Sequence, residues 1–454
     1  MTRKPPREPL VAIIGATGTG KSQLAVELAK RYNGEVINGD AMQLYAGLPI
    51  ITNKITVEEQ QGVPHHLLGC IGLEEPTWVV GTFVKKAVRI IEEIRARGRL
   101  PILVGGTHYY TQSLLFKENL AETHAESGDE VAEIEAEPSD TANSLLEQST
   151  EVLLAELQKV DPVMAERWHP NDRRKIRRSL EIYLKTGRKA SEVYAEQRQR
   201  KTAESANLDV KENQDGMRFP TLLFWVHAEQ DMLRERLDSR VDKMLDAGLL
   251  DEVRMLNTYA DTKAAAGRPV DDSRGIWVSI GCKQFKDHVY ALQAGAMSEK
   301  ELQRLKTQAL GATKAATRQY AKRQLRWIQI KLFDSLPSRG KLYLLDGSDV
   351  TAFDANVVEP AVSLTSAFLK AEPMPEPSSM SQIAADMLQL KRGMETSEDW
   401  TKQHCEACDV TCVIEDQWRK HVGSKAHKKA VSKRRQRENE ALTNPTAIGP
   451  LKDE

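Results

Sequence analysis

The stretch with the clearest chemical meaning is residues 15–22, which read GATGTGKS. It keeps the spacing G-x-x-x-x-G-K-S between an apolar run, residues 10–14, and a helical pattern, residues 23–31. In a loop of this type, backbone N–H groups and a helix N-terminus surround a diphosphate, the lysine reaches the phosphate oxygens and the serine hydroxyl binds Mg²⁺. A glycine-rich turn that binds nothing would leave the lysine and the serine unexplained. We therefore predict that a diphosphate is bound by Gly15, Ala16, Thr17, Gly18, Thr19, Gly20, Lys21 and Ser22.

Two more polar residues stand directly after apolar runs that are typical of strands. Asp40 follows the run 35–38, and Thr107 follows the run 101–104 and a pair of glycines. Ligands of a doubly wound sheet bind beyond the carboxyl ends of its strands, so both side chains should lie beside the phosphate loop. Asp40 could hold a metal, remove a proton or merely cap a helix. Many phosphate-loop ATPases have a metal-supporting aspartate where this chain has Gly-Gly-Thr, which argues mildly against an ATPase and leaves a kinase open.

Clusters of cations indicate a phosphate-rich partner. A predicted helix capped by Asn171 or Asp172 carries five cations within its first two turns, residues 173–178. Cations at a helix start oppose the macrodipole, so local stability does not explain them, whereas nucleic-acid phosphates would. A solvated basic face is the alternative. A second group of cations forms a stripe along one face of a predicted helix, close to aromatic residues. Its members lie at positions i, i+4 and i+8 and are Arg318, Lys322 and Arg326.

Four cysteine and histidine residues late in the sequence have the spacing of a zinc finger. Separated by two, twelve and five residues, they are Cys405, Cys408, His421 and His427. Thiolate and imidazole ligands at this spacing form a closed tetrahedral Zn²⁺ site. We predict a ββα-like finger whose small core includes Trp418, with Cys412 outside the ligand set. The basic run 425–437 would bind RNA phosphates or act as a nuclear address.

The composition indicates a mostly globular protein of a reducing compartment. Of 454 residues, 28% are charged and 40% are hydrophobic, and the formal net charge is −1. Two of the five cysteines, Cys70 and Cys282, stand apart, so no disulfide framework is expected. No apolar run approaches the roughly 18 residues of a membrane span. The first nine residues are basic and proline-rich, without the apolar core of a secretory signal.

Shifts in composition divide the chain into predicted segments. Residues 123–150 are acidic and lack aromatic residues, which is typical of a mobile insertion, and a polar stretch lies at about 197–216. Proline-rich patches and few aromatic residues predict a loose tail before the finger. The expected division is an α/β phosphate-loop core in two parts, 9–120 and 221–350, an acidic mobile insertion, 121–150, a helical insertion, 151–220, a linker, 351–395, and the finger with its basic tail, 396–437.

These motifs occur together, and in the same order, in one family of enzymes. The sequence resembles the eukaryotic tRNA isopentenyltransferases (tRNA dimethylallyltransferases), in particular the fungal type with a C-terminal zinc finger. The resemblance is carried by GATGTGKS, INGDAMQLYAGLPIITNK, GVPHHLLG, PILVGGTHYY, HPNDRRKIRRSLE, SIGCKQF and ATRQYAKRQLRWI. It covers about residues 9–117, 151–197 and 221–330, and the finger. Three features depart from the family pattern: Ala41 in place of a frequent serine, Lys175 in place of an arginine, and the acidic insertion.

The resemblance implies a fold, two substrates and roles for the residues above. It implies a phosphate-loop kinase-like core with a parallel sheet, a helical insertion that grips the tRNA anticodon stem-loop, and dimethylallyl diphosphate in the phosphate loop. The N6 amine of the adenosine next to the anticodon, position 37, would attack C1 of the dimethylallyl group and release diphosphate. Asp40 would act as general base and Thr107 would hydrogen-bond the bridging oxygen. The remaining charge would be stabilised by Lys21, by Ser22 with Mg²⁺ and by Arg240. The target base would have to leave its stack.

Contacts with tRNA are expected from several of the same motifs, through Gln43, Arg174, Lys175, Arg178, Lys283, Gln284, Arg318 and Lys322. The Zn²⁺ of the finger would be structural. We expect a monomer without membrane contact in the cytoplasm, with the nucleus and the mitochondrion open as further compartments. Two other classes remain open: a phosphate-loop kinase of small molecules or nucleotides, and a zinc-finger RNA-binding protein without catalysis. Asp40 and Thr107 together argue against the second class.

Overall fold

The computed structural model describes residues 5–116, 144–196, 217–272, 274–336, 342–389 and 402–443. The predicted acidic insertion therefore lies outside the described residues up to residue 143, as does the polar stretch 197–216. No helix in the described segments is both long and apolar enough to span a membrane.

Strands and helices alternate from residue 5 to residue 116, the order expected of a parallel sheet. The elements are β1 (Leu10–Ile14), α1 (Lys21–Arg31), β2 (Gly34–Asn38), α2 (Val57–Gln60), β3 (His65–His66), α3 (Val80–Ala96), β4 (Leu100–Val104) and α4 (His108–Leu115). A single 3₁₀ turn, Met42–Leu44, follows β2.

The helical insertion contains α5 (Thr150–Val160), α6 (Pro162–Arg167) and α7 (Arg173–Thr186), followed by a helical stretch at 190–196. Asp172 caps α7, because its carboxylate accepts a hydrogen bond from the Lys175 backbone N–H at 3.3 Å. A small apolar cluster holds the helices together, with Trp168 only 1% exposed at its centre. The Trp168 indole N–H donates to the Ser179 hydroxyl at 2.9 Å, so this ring is buried with its polar atom satisfied.

The chain returns to the sheet after residue 217 with β5 (Thr221–His227), α8 (Gln230–Asp246), α9 (Leu249–Ala265), α10 (Cys282–Ala294), α11 (Glu299–Trp327), β6 (Leu342–Asp346), α12 (Glu359–Lys370) and α13 (Gln382–Gln389). A π-helical turn, Ile328–Leu332, extends α11, and a second, Asp354–Val358, leads into α12.

The finger has the predicted ββα order. β7 (Gln403–Cys405) pairs antiparallel with β8 (Val410–Cys412), and α14 (Glu415–Gly423) and α15 (Lys425–Thr443) follow.

The six strands β1 to β6 of the described residues form one parallel sheet in the order β3-β2-β4-β1-β5-β6. β4 lies between β2 and β1, so the loops that follow these three strands start side by side at one edge of the sheet. This topology confirms the predicted α/β class and explains why distant motifs meet.

Side chains of β1 alternate between two apolar clusters, one on each face of the sheet. Leu10, Ala12 and Ile14 belong to the first cluster, and Val11 and Ile13 belong to the second. A strand that is buried on both faces is a continuous apolar run, which is why the sequence pattern found these strands.

The expected loose linker at 351–395 is wrong for most of its length. Within α12, Leu364 and Phe368 are at most 6% exposed and pack into the second cluster, and Leu388 of α13 joins the first. The two helices have few aromatic residues, but the helical spacing of their apolar residues places these on one face, and this face covers the sheet. The segment is therefore part of the core.

The described residues fall into two compact units. Residues 5–116 and 217–389 form the first, and residues 144–196 and 402–443 form the second. The division into six segments that the sequence predicts remains a proposal, apart from the linker, which is corrected above.

Candidate active site

A cleft with a volume of about 1130 Å³ opens where the loops after β1, β2 and β4 meet. One face of α8 and the segment 49–61 complete its walls. Its lining includes the predicted residues Thr17, Gly18, Gly20, Lys21, Ser22, Asp40, Gln43 and Arg240. The sheet topology therefore brings most of the predicted diphosphate-binding residues next to the predicted base.

Internal hydrogen bonds shape the phosphate loop. Gly20 has a φ of +91°, and a Cβ at this position would lie 2.5 Å from the ring of Phe353, so only glycine fits. The Lys21 ammonium donates to the Ala16 carbonyl at 2.7 Å, and the Thr19 hydroxyl donates to the same carbonyl at 3.0 Å. These hydrogen bonds curve the loop around its own lysine.

Two buried or partly buried cations give the cleft a positive character. Burial lowers the pKa of Lys21 to about 8, while Asp40 raises it and Arg240 lowers it further. Arg240 Nη1 donates to the Thr17 hydroxyl at 2.8 Å, so α8 carries this guanidinium to the phosphate loop. Burial also lowers the pKa of Arg240, and Glu59 opposes the change. A multiply charged anion would bind well between these cations.

Asp40 faces this positive region from the turn after β2. Its Oδ1 accepts from the Met42 backbone N–H at 3.1 Å, and the Thr107 hydroxyl lies 3.4 Å from the same oxygen. Burial raises the pKa of the Asp40 carboxyl, while the Met42 N–H, Lys21 and Thr107 lower it. A carboxylate with a raised pKa in a cleft is suited to accept a proton.

Asn38 fixes the turn that presents Asp40. Its Oδ1 accepts from the Asp40 backbone N–H at 3.0 Å. Its Nδ2 donates to the carbonyls of Asp40 and Leu67 at 3.0 and 2.8 Å. In the sequence, Asn38 was interpreted only as the last residue of a strand, although an amide two residues before a candidate base was an available signal.

Thr107 joins the loop after β4 to the loop after β2. Its hydroxyl oxygen accepts from the Ala41 backbone N–H at 3.0 Å. Because the hydroxyl has one proton, it can donate either to Asp40 or to a bound ligand. Thr107 itself does not line the described cleft, but it contacts Asp40, which does.

Two residues of α11 complete the site and were missed by the sequence analysis. Tyr320 and Gln324 are separated by one helical turn, and the neighbouring Thr107 and Gln324 side chains lower the pKa of the Tyr320 hydroxyl. Burial raises the pKa of Tyr320, and Asp40 raises it further. In the motif ATRQYAKRQ, the sequence-based prediction used only the cations. The polar residues that face the site are Tyr320 and Gln324, which are spaced at i and i+4.

Gln43 and the 283–284 pair occupy different places in the core unit. Gln43 lines the cleft, where its amide donates to the Asn53 carbonyl at 3.1 Å. Gln284 accepts from the Gly281 backbone N–H at 2.8 Å and so caps α10, and Lys283 beside it is exposed. These two residues of α10 do not line the described cleft.

The basic stripe of α11 is only partly exposed to solvent. Arg318 forms an ion pair with Asp238 of α8, with N–O distances of 2.5 and 2.7 Å. Lys322, one turn further, is exposed. The first member of the predicted stripe therefore already has an anionic partner.

The cations at the start of α7 also have partners within the insertion. Lys175 lies 4.9 Å from the centre of the Trp168 ring and 3.5 Å from the Asp172 carboxylate. Arg178 binds Glu181 at 2.8 Å, and Arg174 likewise takes part in an intramolecular interaction. These cations therefore have acidic or aromatic neighbours within the insertion, and their contact with tRNA remains a prediction.

The finger brings together four potential ligand atoms, all within 4.8 Å of one another, from Cys405, Cys408, His421 and His427. His427 Nδ1 lies 3.5 Å from both cysteine Sγ atoms. His421 Nε2 is buried without a hydrogen-bond partner among the described residues, an arrangement that a bound metal would resolve. Two thiolates and two imidazoles are a donor set that fits structural Zn²⁺. Cys412 lies in β8, outside this set.

Comparison with known proteins agrees with this geometry. The model of the IPP transferase family matches residues 43–331, and that of the isopentenyl transferases matches residues 9–71. The chain belongs to the IPP transferase family.

Relatives with curated names are tRNA dimethylallyltransferases. The one from Schizosaccharomyces pombe is 36% identical over 95% of this chain and 96% of its own length. The one from Homo sapiens is 35% identical over 96% of this chain and 88% of its own length. A solved structure of a eukaryotic dimethylallyltransferase acting on tRNA is 32% identical, with a TM-score of 0.73 over 96% of this chain and 100% of that chain.

Proposed function

We propose that this IPP transferase moves a dimethylallyl group from dimethylallyl diphosphate to N6 of the adenosine 3′ of the tRNA anticodon, position 37, and releases diphosphate. The observation that carries the proposal is a partly buried carboxylate, Asp40, in the same cleft as a phosphate loop that contains Lys21. The curated names of its relatives support the same reaction.

Asp40 acts as general base on the adenine amine. The N6 lone pair attacks C1, the bond between C1 and the bridging oxygen breaks, and its electron pair leaves on diphosphate. The N6 proton passes to the Asp40 carboxylate. Adenine N6 is a weak nucleophile because its lone pair is delocalised into the ring, so a base in hydrogen-bonding contact with it accelerates the attack.

The cleft stabilises the leaving diphosphate. Lys21 and Arg240 supply positive charge at the phosphate loop. Thr107 turns its single hydroxyl proton from Asp40 to the bridging oxygen when substrate binds, where it donates to the charge that develops. The same turn leaves the Asp40 Oδ1 free to accept from N6.

Magnesium fits the phosphate loop as a cofactor. Ser22 lines the cleft directly after Lys21, and its hydroxyl would hold the ion together with phosphate oxygens and water. Mg²⁺ needs few protein ligands because it retains several waters. When bound, the ion would neutralise charge on the departing diphosphate.

The tRNA must present its target base outside the helix stack to reach a carboxylate that lies inside a cleft. The volume of about 1130 Å³ leaves room for an adenosine beside the prenyl diphosphate. Gln43 in the cleft contacts the flipped nucleoside, and the remaining predicted contacts bind the anticodon stem-loop. Zn²⁺ holds the finger, whose basic helix α15 binds tRNA phosphates. The enzyme acts as a monomer in the cytoplasm.

One labelling experiment tests this function against a kinase and against a non-catalytic RNA-binding protein. The protein is incubated with unmodified tRNA, Mg²⁺ and either dimethylallyl diphosphate labelled in its prenyl group or ATP labelled in its γ-phosphate. We expect prenyl label in tRNA and none from ATP. Transfer of phosphate would support a kinase, and binding of tRNA without transfer of either label would support a binding protein.

A further inference from the structure

Gln324, near the end of α11, bridges the two loops that hold the proposed reactants. It is 4% exposed. Its Oε1 accepts from the backbone N–H of Thr17 in the phosphate loop at 2.8 Å. Its Nε2 donates to the carbonyl of Gly106, directly before Thr107, at 2.7 Å. Since one partner is a donor and the other an acceptor, only one orientation of the amide satisfies both.

The space around this bridge is full. A Cβ on Gly106 would lie 2.7 Å from Gln324 Nε2 and 2.8 Å from Asp40 Oδ2. Glycine at this position therefore lets the amide approach the backbone beside the base. A change in the length or the polarity of residue 324 would shift the loop of Thr107.

The rest of α11 supports the same loop from two other positions. Trp327 Nε1 donates to Gln112 Oε1 at 2.9 Å, in the helix that begins after Thr107. Tyr320, one turn before Gln324, is near enough to the Thr107 side chain for this neighbour to lower the pKa of the Tyr320 hydroxyl. The helix thus supports the loop around Thr107 at several positions, and of these three residues of α11 Gln324 also hydrogen-bonds the phosphate loop, at Thr17.

We infer that Gln324 is a positioning residue for prenyl transfer, which sets the separation between the diphosphate in the phosphate loop and the Asp40–Thr107 pair. This inference rests on the function proposed above. Transfer requires the amine, C1 and the leaving oxygen to be in line, and a misplacement of about 1 Å reduces such rates by about 10². Gln324 acts through the backbone of its neighbours, so its loss should affect the rate more than the affinity for tRNA.

The first test replaces Gln324 by methionine, which keeps the length and removes both hydrogen bonds. We expect the single-turnover rate, with both substrates saturating, to fall about 10- to 100-fold. The dissociation constant for tRNA should stay within about twofold. Gln308→Met is the matched control, because Gln308 is exposed on the same helix, and it should keep the wild-type rate.

The second test uses Gln324→Glu and the pH dependence of its rate relative to wild type. An ionised Glu accepts from Thr17 but cannot donate to Gly106, whereas a protonated Glu does both, as glutamine does. Burial favours the neutral acid, so protonation occurs above the ordinary carboxyl range. The rate of the variant divided by the rate of wild type should therefore increase as pH falls from about 8 to about 6. The division cancels the pH dependence of ionisable groups that are present in both proteins.

A wild-type rate in Gln324→Met, a defect confined to substrate affinity, or a Glu ratio that is independent of pH would overturn the positioning role. Should the methionine variant fail to fold, the ratio measured with the Glu variant decides alone. Wild type is the reference throughout. If wild type itself transfers no prenyl group, the proposed function has failed, whereas equal transfer by wild type and both variants rejects only the role of Gln324.

Discussion

The charge of Asp40 depends on opposing influences from its neighbours. Burial favours the protonated acid, whereas the Met42 N–H, Lys21 and the Thr107 hydroxyl favour the carboxylate. A bound diphosphate would engage Lys21 and Thr107 and so remove part of what holds the carboxylate ionised. The basicity of Asp40 would therefore increase when substrate enters, which would suit the general base proposed above.

Replacing Asp40 by asparagine tests its role as base. The amide keeps the size of the side chain but cannot accept a proton, so we expect the single-turnover rate to fall at least ~10²-fold. Affinity for tRNA should remain near that of wild type, measured by filter binding. Asp231→Asn, an exposed position on α8, serves as control and should have no effect on the rate. An unchanged rate in Asp40→Asn would remove this residue from the mechanism.

The lowered pKa of Lys21 predicts a limit at alkaline pH. Its value of about 8 in the free protein means that the ammonium is charged below this pH and loses its charge as pH rises through it. Only the charged form attracts diphosphate, so the KM for dimethylallyl diphosphate should rise above about pH 8, approaching tenfold per unit.

The matched variant for this limit is Lys21→Arg, since a guanidinium remains charged throughout the range. Its KM should start higher, because the geometry differs, but should change little between about pH 7 and pH 9.5. A wild-type KM that stays flat across the same range would show that Lys21 does not titrate in the free enzyme.

At the scale of elements, α11 and α12 make more contacts with the sheet and the site loops than their amino-acid composition suggests. α11 supplies Gln324 and Tyr320 to the site and anchors α4 through Trp327. α12 covers one face of the sheet, and the ring of Phe353 just before it packs against Gly20 of the phosphate loop. Each helix therefore connects the apolar core to the catalytic loops.

Truncating a buried leucine of α12 tests whether this segment is core. Leu364 is 3% exposed, so Leu364→Ala should lower the free energy of unfolding by about 2–5 kcal/mol in a urea titration. Val350→Ala, at a position that is 63% exposed, should change it by less than about 0.5 kcal/mol. Equal stability of the two variants would restore the interpretation of this stretch as a linker.

At the scale of the whole molecule, the finger is a module with its own chemistry. Its four candidate ligands leave no open position for a substrate, so its metal would be structural. A module of this size cannot bury enough apolar surface to fold without metal. The basic residues of α15 are presented by that fold, and their contacts with phosphates would be sensitive to salt.

Loss of the finger should weaken tRNA binding and leave the chemistry intact. Deletion from about residue 396, or Cys405→Ser with loss of zinc, should raise the apparent KM for tRNA, most steeply at high salt. The single-turnover rate at saturating tRNA should hardly change. Cys412→Ser removes a thiol outside the ligand set and should retain one zinc per chain by metal analysis. A collapse of the saturated rate, or tRNA binding indifferent to both deletion and chelation, would contradict this assignment.

Local pattern alone predicted β1, β2 and β4, the phosphate loop, the positions of Asp40 and Thr107 after their strands, and the ligand spacing of the finger. The catalytic roles of Asp40 and Thr107 remain predictions. Each of these features is encoded by neighbours in sequence: an apolar run buried on both faces, a glycine spacing, or a ligand spacing. Parallel topology then places the ends of the strands together without further information, which is why Asp40 and Thr107 lie within hydrogen-bonding distance.

Only the tertiary structure decided which polar residues have partners. Arg318 and Lys175 look free in the sequence, yet their partners, Asp238 and Trp168, lie on other elements. Gln324 is one of many glutamines in the sequence. Its importance arises because α11 passes between two loops, each of which lies some 200 to 300 residues before Gln324 in the sequence. Such contacts depend on the packing of helices against the sheet, and helical periodicity specifies a buried face without specifying what lies opposite.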